Sequence, residues 1–400
     1  MGESADAVVI GGGIIGANTA FQLARRGLRK VVVLEKSGIA AGASGKGGAT
    51  VGTHFNSDIK VRLAQKSLEL WVNFNDVYRV KEQYYERSGQ VCLGTAEQVP
   101  AMQAVVEMQR ECGVDACLMS EPQLRELAPQ ISLDGVAVIT YEPDAGIVDP
   151  LGATSAVAEA AHEAGADVRV GIAGRGISVK GGRVDGVKTD AGAISSPLVF
   201  NAAYVWAPRL LKPLGVRVPI TPVTAQIGLF RRPGDFGPRP PAVIDLVQGT
   251  YMHDYPTDLM LVGSMRSLKE SVPPDPDDYQ ENANWSVMRS YRENLWRRFP
   301  AMRRSAFRGG YSGINDITPD SLPIIDRVPG AEGLFVACGF SGVGFCFAPA
   351  VGQLLAEWAL DGSPSLDIAT LSLERFANPS NNSATGSKPL QLSHRTGFIE

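Results

Sequence analysis

The sequence predicts an α/β protein in which a doubly wound, mostly parallel sheet is interleaved with a second, α+β domain built on an antiparallel sheet. Two observations support this prediction. Apolar runs typical of buried parallel strands occur at residues 7–10, followed by glycine, at residues 198–203, ending in small residues, and at residues 333–339, ending in glycine. Between residues 219 and 320, short runs instead alternate with Pro, Gly and Asp clusters, which is typical of antiparallel strands.

The composition limits the classes of protein to consider. The chain has 400 residues, of which 44% are hydrophobic, and this is enough apolar material for two cores. A net charge of −4 gives no electrostatic case for binding nucleic acid or an anionic membrane, and the apolar runs are too short to span a bilayer. We expect no secretory signal. The five cysteines lack a C-x-x-C pair and the four histidines lack metal-site spacing, so we expect free thiols, no metal and a cytoplasmic location.

The first unit of the chain is a strand, a glycine turn with G-x-G-x-x-G spacing at Gly11, Gly13 and Gly16, a helix, and a second strand. Gly11 permits a tight turn, Gly13 lets a pyrophosphate approach the backbone, and Gly16 lets the helix pack closely on the strand. The helix N-terminus attracts phosphates, and Glu35, at the end of the second strand, accepts hydrogen bonds from a ribose. This unit predicts a Rossmann-type dinucleotide site; the alternative is a glycine turn in an ordinary βαβ unit.

A loop of small residues with five glycines follows at residues 37–50. Its backbone amides could wrap an anionic or planar ligand, whereas the alternative interpretation is a flexible linker. An amphipathic helix is predicted next, over residues 62–80.

The later elements are predicted from caps and periodicity. Asp149 and Pro150 are typical of a helix start and predict a helix over residues 151–164. A long polar helix is predicted over about residues 277–299. The strand at residues 333–339 runs into a glycine-rich turn and then a helix of small residues. Because one complete G-x-G-x-x-G opens a helix in this way, we expect one bound dinucleotide.

Together these motifs resemble the D-amino-acid oxidase family of FAD enzymes, in the branch of the sarcosine oxidase beta subunit, dimethylglycine dehydrogenase and glycine oxidase. The resemblance covers about residues 6–375 and rests, in order, on VVIGGGIIG, GASGKGGATVGTHF, DAGIVDP, NAAYVWAPRL, GINDITPDSLPII and GFSGVGFCFAPAVG. It implies a bound FAD, hydride transfer from a C–N bond of an amine or amino acid to flavin N5, and an imine that water hydrolyses. Gly313 stands where some relatives carry a cysteine bonded to the flavin, so we expect noncovalent FAD.

The resemblance also implies which residues bind FAD. The two glycine turns are expected to close on one cofactor from two sides. The expected FAD-binding residues are Gly11, Gly13, Ile14, Ile15, Gly16, Glu35, Lys36, Ser44, Lys46, Gly47, Gly48, Ala173, Gly174, Ala202, Trp206, Gly313, Gly342, Val343, Gly344, Phe345 and Cys346. The predicted domains are an FAD-binding domain of residues 1–50, 144–215 and 321–375, a substrate domain of residues 51–143 and 216–320, and a flexible tail of residues 376–400.

Three departures from the family pattern concern the substrate. Gly52, Asn315 and Cys346 stand where relatives place basic side chains that bind the substrate carboxylate. Their loss argues against a glycine- or sarcosine-sized substrate bound in the usual way, and we expect a secondary or N-substituted amine. Arg266, Arg308 and Lys46 are the candidates to replace them. Tyr204 also replaces a glycine beside the cofactor.

The candidate residues of the substrate pocket are His54, Tyr251, His253, Tyr255, Arg266 and Asn315. His54 directly follows the flavin loop. Tyr251, His253 and Tyr255 alternate on a predicted strand and therefore share one face; the alternative is a packed aromatic ladder. Cys338 and Cys346 are interpreted as packing residues rather than redox partners.

These observations favour an FAD-dependent amine or amino-acid oxidase or dehydrogenase that passes electrons to O₂ or to a carrier. A nicotinamide-dependent reductase is one alternative, based on the first glycine turn alone. The other is a non-catalytic or partner-dependent flavoprotein subunit of a multi-subunit amine dehydrogenase, which the missing basic residues favour.

Overall fold

The computed structural model describes residues 3–255, 258–265 and 275–377. Its strands are β1 (Glu3–Ser4), β2 (Ala7–Ile10), β3 (Val31–Glu35), β4 (Thr50–Val51), β5 (Tyr85–Glu86), β6 (Gln90–Gly94), β7 (Cys117–Leu118), β8 (Val138–Glu142), β9 (Gly146–Val148), β10 (Asp167–Val170), β11 (Gly174–Lys180), β12 (Arg183–Thr189), β13 (Gly192–Ser195), β14 (Val199–Asn201), β15 (Thr221–Arg231), β16 (Ala242–Asp245), β17 (Thr250–Tyr255), β18 (Leu259–Ser264), β19 (Ala306–Ile317), β20 (Ile324–Arg327) and β21 (Leu334–Cys338). The α-helices are α1 (Ile14–Arg25), α2 (Asp58–Val72), α3 (Phe74–Tyr78), α4 (Val99–Glu111), α5 (Glu121–Leu127), α6 (Pro150–Glu163), α7 (Ala207–Leu211), α8 (Trp285–Arg298) and α9 (Gly344–Leu360).

The first of the two large sheets has six strands in the order β10-β3-β2-β14-β21-β20. All its pairings are parallel except that of β20 with β21. Its strands are almost continuously apolar because both faces are covered. Alternate residues of β2 and β3 point to opposite faces of the sheet and belong to two cores. On one face, the core with α1, α6 and α9 contains Ala7, Val9, Val31 and Val33. On the other face, beneath α7 and the small sheet β1-β13-β12-β11, the core contains Val8, Ile10, Val32 and Leu34.

The second large sheet has eight strands in the order β19-β15-β18-β17-β16-β6-β8-β7. Its pairings are antiparallel except for β16 with β6. Helix α8 packs on one face, where Tyr291 and Leu295 join Phe230 and Met260 of the sheet in one core. The sequence prediction of a parallel sheet interleaved with an antiparallel one is therefore confirmed.

The start of α8 is the clearest correction to the predicted elements. The helix begins at Trp285, not near residue 277, because the side chain of Asn284 accepts the backbone N–H of Ser286 at 2.8 Å and caps it there. The preceding residues instead form a tight turn at residues 275–278, in which the backbone N–H of Asp278 donates to the carbonyl of Asp275 at 3.0 Å, and then run without helical structure to Glu281, whose carbonyl accepts the backbone N–H of Ser312 at 2.7 Å.

Two further observations concern all the residues that the structure describes. In the described residues, no helix combines the length and hydropathy needed to cross a bilayer. The described part of the chain also holds no cluster of three or more His, Cys, Asp or Glu side chains suited to a metal ion. Of the predicted tail, residues 376–400, the part from residue 378 onward lies outside the described residues, and the predicted domain boundaries stay a prediction.

Candidate active site

A cavity of about 700 Å³ opens at the carboxyl ends of β2 and β3 and extends towards the eight-stranded sheet. Its wall contains most of residues 10–15 and 41–56 and all of the late turn 340–346, so the two glycine turns line one cavity. Ligands of open α/β sheets bind at this edge of the strands. All the predicted FAD-binding residues line the cavity except Gly16.

Gly16 has a different task, which is to let the first turn form. A Cβ on Gly16 would overlap the carbonyl oxygen of Gly11, and a Cβ on Gly11 would lie 2.6 Å from the carbonyl oxygen of Ala202. Gly11 also has φ of +116°, which L side chains rarely adopt. Glycine is therefore required at both positions. At Gly13 the side facing the cavity stays open, and a Cβ there would meet only the Ser44 hydroxyl oxygen, at 3.0 Å.

Two side chains hold this turn in place. The carboxylate of Glu35 accepts the backbone N–H groups of Gly12 at 2.7 Å and Ser37 at 2.8 Å. The hydroxyl of Ser44 accepts the backbone N–H of Ile14, in the first turn of α1, at 2.9 Å. Since α1 has no acidic residue in its first turn, the positive end of its dipole faces the cavity without a competing charge.

Residues 275–281, here named the acidic strap, run along the same cavity. The carboxylate of Asp277 accepts from Lys36 Nζ at 2.7 Å and from Trp206 Nε1 at 2.8 Å. The ammonium of Lys36 lies 3.6 Å from the centroid of the Trp206 ring. At the other end of the strap, Glu281 accepts from Lys46 Nζ at 2.6 Å. The strap thus contacts the cavity wall at both ends.

The far end of the cavity is lined by His54, Tyr251 and Asn315. His54 is buried, its Nδ1 lies 3.5 Å from the Thr140 hydroxyl, and burial lowers its pKa to about 4. It is therefore uncharged at neutral pH. Tyr251 packs against Gly48, where a Cβ would lie 2.5 Å from the ring, and Asn315 lies beside Gly342 in the late turn.

The remaining candidates lie elsewhere. Among the described residues, His253 and Tyr255 are not part of the cavity wall, although they share a face of β17 with Tyr251. Each two-residue step advances about 6.6 Å along a strand, so only the residue near the start of β17 reaches the cavity. The Nδ1 of His253 instead lies 2.6 Å from the carbonyl oxygen of Asp254. Arg266 lies outside the described residues.

A buried polar cluster that the sequence reasoning missed supports residues 52–54. The carboxylate of Glu142, 2% exposed, accepts both the backbone N–H of Thr53 at 2.7 Å and its hydroxyl at 2.8 Å. Gln109 Nε2 donates to the same hydroxyl at 2.8 Å. The sequence shows a glutamate at the end of the apolar run VAVITYE, which could have indicated a buried carboxylate. It does not show that the partner of this glutamate is Thr53, 89 residues earlier.

Cys346 joins this cluster to the last helix. Its thiol donates to the carbonyl oxygen of Gly52 at 3.3 Å, and burial raises the pKa of Cys346 to about 12. The group is a protonated thiol at neutral pH, in agreement with its interpretation as a packing residue. In the described residues, Cys338 and Cys346 form no disulfide.

The comparisons with known proteins agree with this geometry. The family model described as DAO, FAD dependent oxidoreductase, matches residues 6–358, and the chain belongs to this family, whose cofactor is FAD. The chain is 27% identical to 4-methylaminobutanoate oxidase (formaldehyde-forming) of Paenarthrobacter nicotinovorans, over 94% of this chain and 46% of that protein. It is 28% identical to sarcosine oxidase subunit beta of Arthrobacter sp, over 94% and 91% of the two chains.

A solved structure gives the same result for the fold. The crystal structure of L-proline dehydrogenase from P. horikoshii superposes with a TM-score of 0.87 and 29% identity, over 94% of this chain and 99% of that one. The chain spans about half the length of several curated relatives it matches.

Proposed function

We propose that this chain binds one FAD in the cavity and oxidises a C–N bond of a secondary or N-substituted amine or amino acid. The observation that supports this most directly is the shared cavity, with the glycine turn and Glu35 at one end and His54, Tyr251 and Asn315 at the other. One end suits a dinucleotide, and the other suits a small organic substrate.

The chain's own residues fit FAD in this orientation. Glu35 would accept hydrogen bonds from the adenosine ribose, and the N-terminus of α1 with Ser44 would hold the pyrophosphate. Gly342 to Cys346, at the N-terminus of α9, would contact the pyrimidine end of the flavin, where the helix dipole favours negative charge. When bound, FAD supplies a two-electron acceptor for the hydride of the amine C–H.

The residues of the other end then orient the substrate and keep the pocket dry. Because burial keeps His54 uncharged, its ring can accept a hydrogen bond from the amine N–H. The uncharged ring also does not repel a cationic substrate. Phe55 packs on Phe347 at a centroid distance of 5.2 Å and shields this end from water. The imine that forms leaves the pocket for hydrolysis.

The names of two relatives support the substrate class, since both 4-methylaminobutanoate and sarcosine are N-methyl amino acids. The electron acceptor is O₂ or an electron carrier. The cytoplasm is our proposed compartment, supported by cysteines that are free in the described residues.

A substrate screen tests this proposal. The purified protein should be yellow, and at least one secondary amine in a panel of sarcosine, 4-methylaminobutanoate, proline and N-methylated amines should bleach the flavin band anaerobically. Peroxide assayed in air then distinguishes oxidase from dehydrogenase. Bleaching by dithionite but by no amine would contradict the proposed reaction.

A second candidate function is a partner-dependent flavoprotein subunit of an amine dehydrogenase. It is favoured by the relative named as a subunit and by the uncharged residues Gly52, Asn315 and Cys346 at positions where the family pattern is basic. In that case the flavin would stay oxidised with every amine until a partner chain is added.

A further inference from the structure

Five cationic side chains belong to the described part of the cavity wall, and four of them are neutralised by carboxylates. The N–O distances are 2.7, 2.6, 2.6 and 2.5 Å for the pairs Lys36–Asp277, Lys46–Glu281, Arg175–Asp190 and Arg209–Asp277. The fifth cation is Lys60. Within the described residues, no hydrogen bond or ion pair is formed by its ammonium group.

Lys60 lies at the substrate end of the cavity. It is the third residue of α2, four residues after Asn56, and Asn56 lines the wall together with His54 and Phe55. Two of the four paired cations, Lys36 and Arg209, instead share the carboxylate of Asp277 with Trp206. The free charge is therefore on the side of the cavity where a substrate would sit.

The surroundings of Lys60 do not supply a counter-ion of its own. The carboxylate that acts on it is Asp320, and Asp320 is already bound by Arg375 at 2.7 Å. Burial lowers the pKa of Lys60 to about 8, which reflects an ammonium that has lost water without gaining a partner. An anion that binds beside such an ammonium group in the cavity lowers its free energy more than it would for an ammonium that is already paired.

Of the three candidates predicted for this task, Arg266 lies outside the described residues, and Lys46 and Arg308 are excluded by their surroundings. Lys46 is bound by Glu281 and by the hydroxyl of Tyr279. Arg308 is exposed on β19 and is not part of the cavity wall. Where Gly52, Asn315 and Cys346 leave the wall uncharged, Lys60 is the cation within the described wall that can replace them.

We propose that Lys60 binds the carboxylate of the substrate, so that the substrate is an N-substituted amino acid rather than a simple amine. This inference rests on the proposed amine oxidation. A lysine is suited to it as a point charge that accepts a carboxylate at varied angles.

The test compares Lys60→Met and Lys60→Arg with Arg62→Met, a control on the exposed face of the same helix. Two readouts are used for each holoprotein. One is anaerobic flavin reduction by the best amino acid and by its carboxamide. The other is a titration with acetate, followed by the change in the flavin absorption band.

Lys60→Met should raise KM for the acid and the Kd for acetate by about 10-fold or more, and leave KM for the carboxamide unchanged. Lys60→Arg should retain a large part of the affinity. Equal losses for acid and carboxamide would overturn the proposal, as would acetate binding that is unchanged in Lys60→Met.

If wild-type protein is reduced by no amine, the proposed oxidation fails, while the acetate titration still decides the role of Lys60. Weaker acetate binding in Lys60→Met alone would then support an anion site, and equal binding in all variants would reject it.

Discussion

The two ends of the cavity are built differently. At the first glycine turn, contacts come from backbone groups, from Glu35 and Ser44, and from exposed ion pairs such as Lys36–Asp277, whose side chains are 40% and 46% exposed. At the other end, His54, Thr53 and Glu142 are all buried, and the described cation there, Lys60, is unpaired.

This difference follows from what each end has to recognise. A dinucleotide has the same phosphates and ribose in every protein, so backbone geometry suffices and glycine is the decisive residue. A substrate varies, so its end depends on side chains held in place by buried hydrogen bonds. The first end should therefore tolerate changes of surface charge but not an added Cβ, whereas the second should be sensitive to the loss of a buried charge or hydrogen-bonding group.

The largest expected effect is at the first end, with Gly16→Ala. The new Cβ would overlap the carbonyl oxygen of Gly11, so α1 must move away from the turn. We expect at least about a 100-fold loss of FAD affinity, equivalent to about 2.7 kcal/mol. The ratio of flavin to protein absorbance after purification measures it. Gly42→Ala is the control, since it lies on the same cavity with no atom within 4 Å of its Cβ, and equal FAD loss in both variants would contradict the explanation.

Glu142→Ala should have the next largest effect, this time on stability. It leaves the Thr53 N–H and hydroxyl without their buried acceptor, which costs about 2–3 kcal/mol of unfolding free energy. Urea unfolding of the holoprotein measures it. Glu142→Gln keeps an acceptor oxygen and should lose less than half as much; equal losses would mean that the negative charge, not the hydrogen bonding, matters.

His54→Gln should change how stability depends on pH. Burial lowers the pKa of His54 to about 4, so between pH 7 and 5 the unfolded chain binds more protons than the folded one, and protonation destabilises the wild type as the pH falls. The wild type should lose about 2 kcal/mol more than the variant over this interval. Urea midpoints at pH 7, 6 and 5 give the difference. If the difference in unfolding free energy between the wild type and the variant is the same at all three pH values, His54 does not titrate in this way.

The smallest effect is expected for Asp277→Asn in the acidic strap. It removes the partner of Lys36 and Arg209, but exposed pairs contribute about 1 kcal/mol or less. The FAD dissociation constant should rise less than about fivefold, and less still at high salt. Asp235→Asn, in an exposed pair with Arg304 away from the cavity, is the control. A rise of 100-fold would mean that the strap binds the cofactor directly.

Much of the first end could be predicted from the sequence. The spacing of Gly11, Gly13 and Gly16 encodes one local backbone path, and the distance to Glu35 follows from the length of one helix. The late turn at residues 340–346 could be placed on the same cavity because parallel strands meet at one edge of the sheet. The start of α8 could not, because residues 275–281 lie outside the helix and are held by contacts with Lys36 and Lys46, more than 200 residues away in sequence.

By itself, the sequence determined the fold class, the dinucleotide turn and the family, since each depends on residues that are neighbours along the chain or recur at a fixed period. The tertiary structure alone decided which of Tyr251, His253 and Tyr255 reaches the cavity, that Glu142 supports Thr53, and that Lys60 is the unpaired cation in the described wall. These depend on where distant strands and helices meet, because burial and charge neutralisation are properties of a side chain's spatial neighbours, and no local pattern records them.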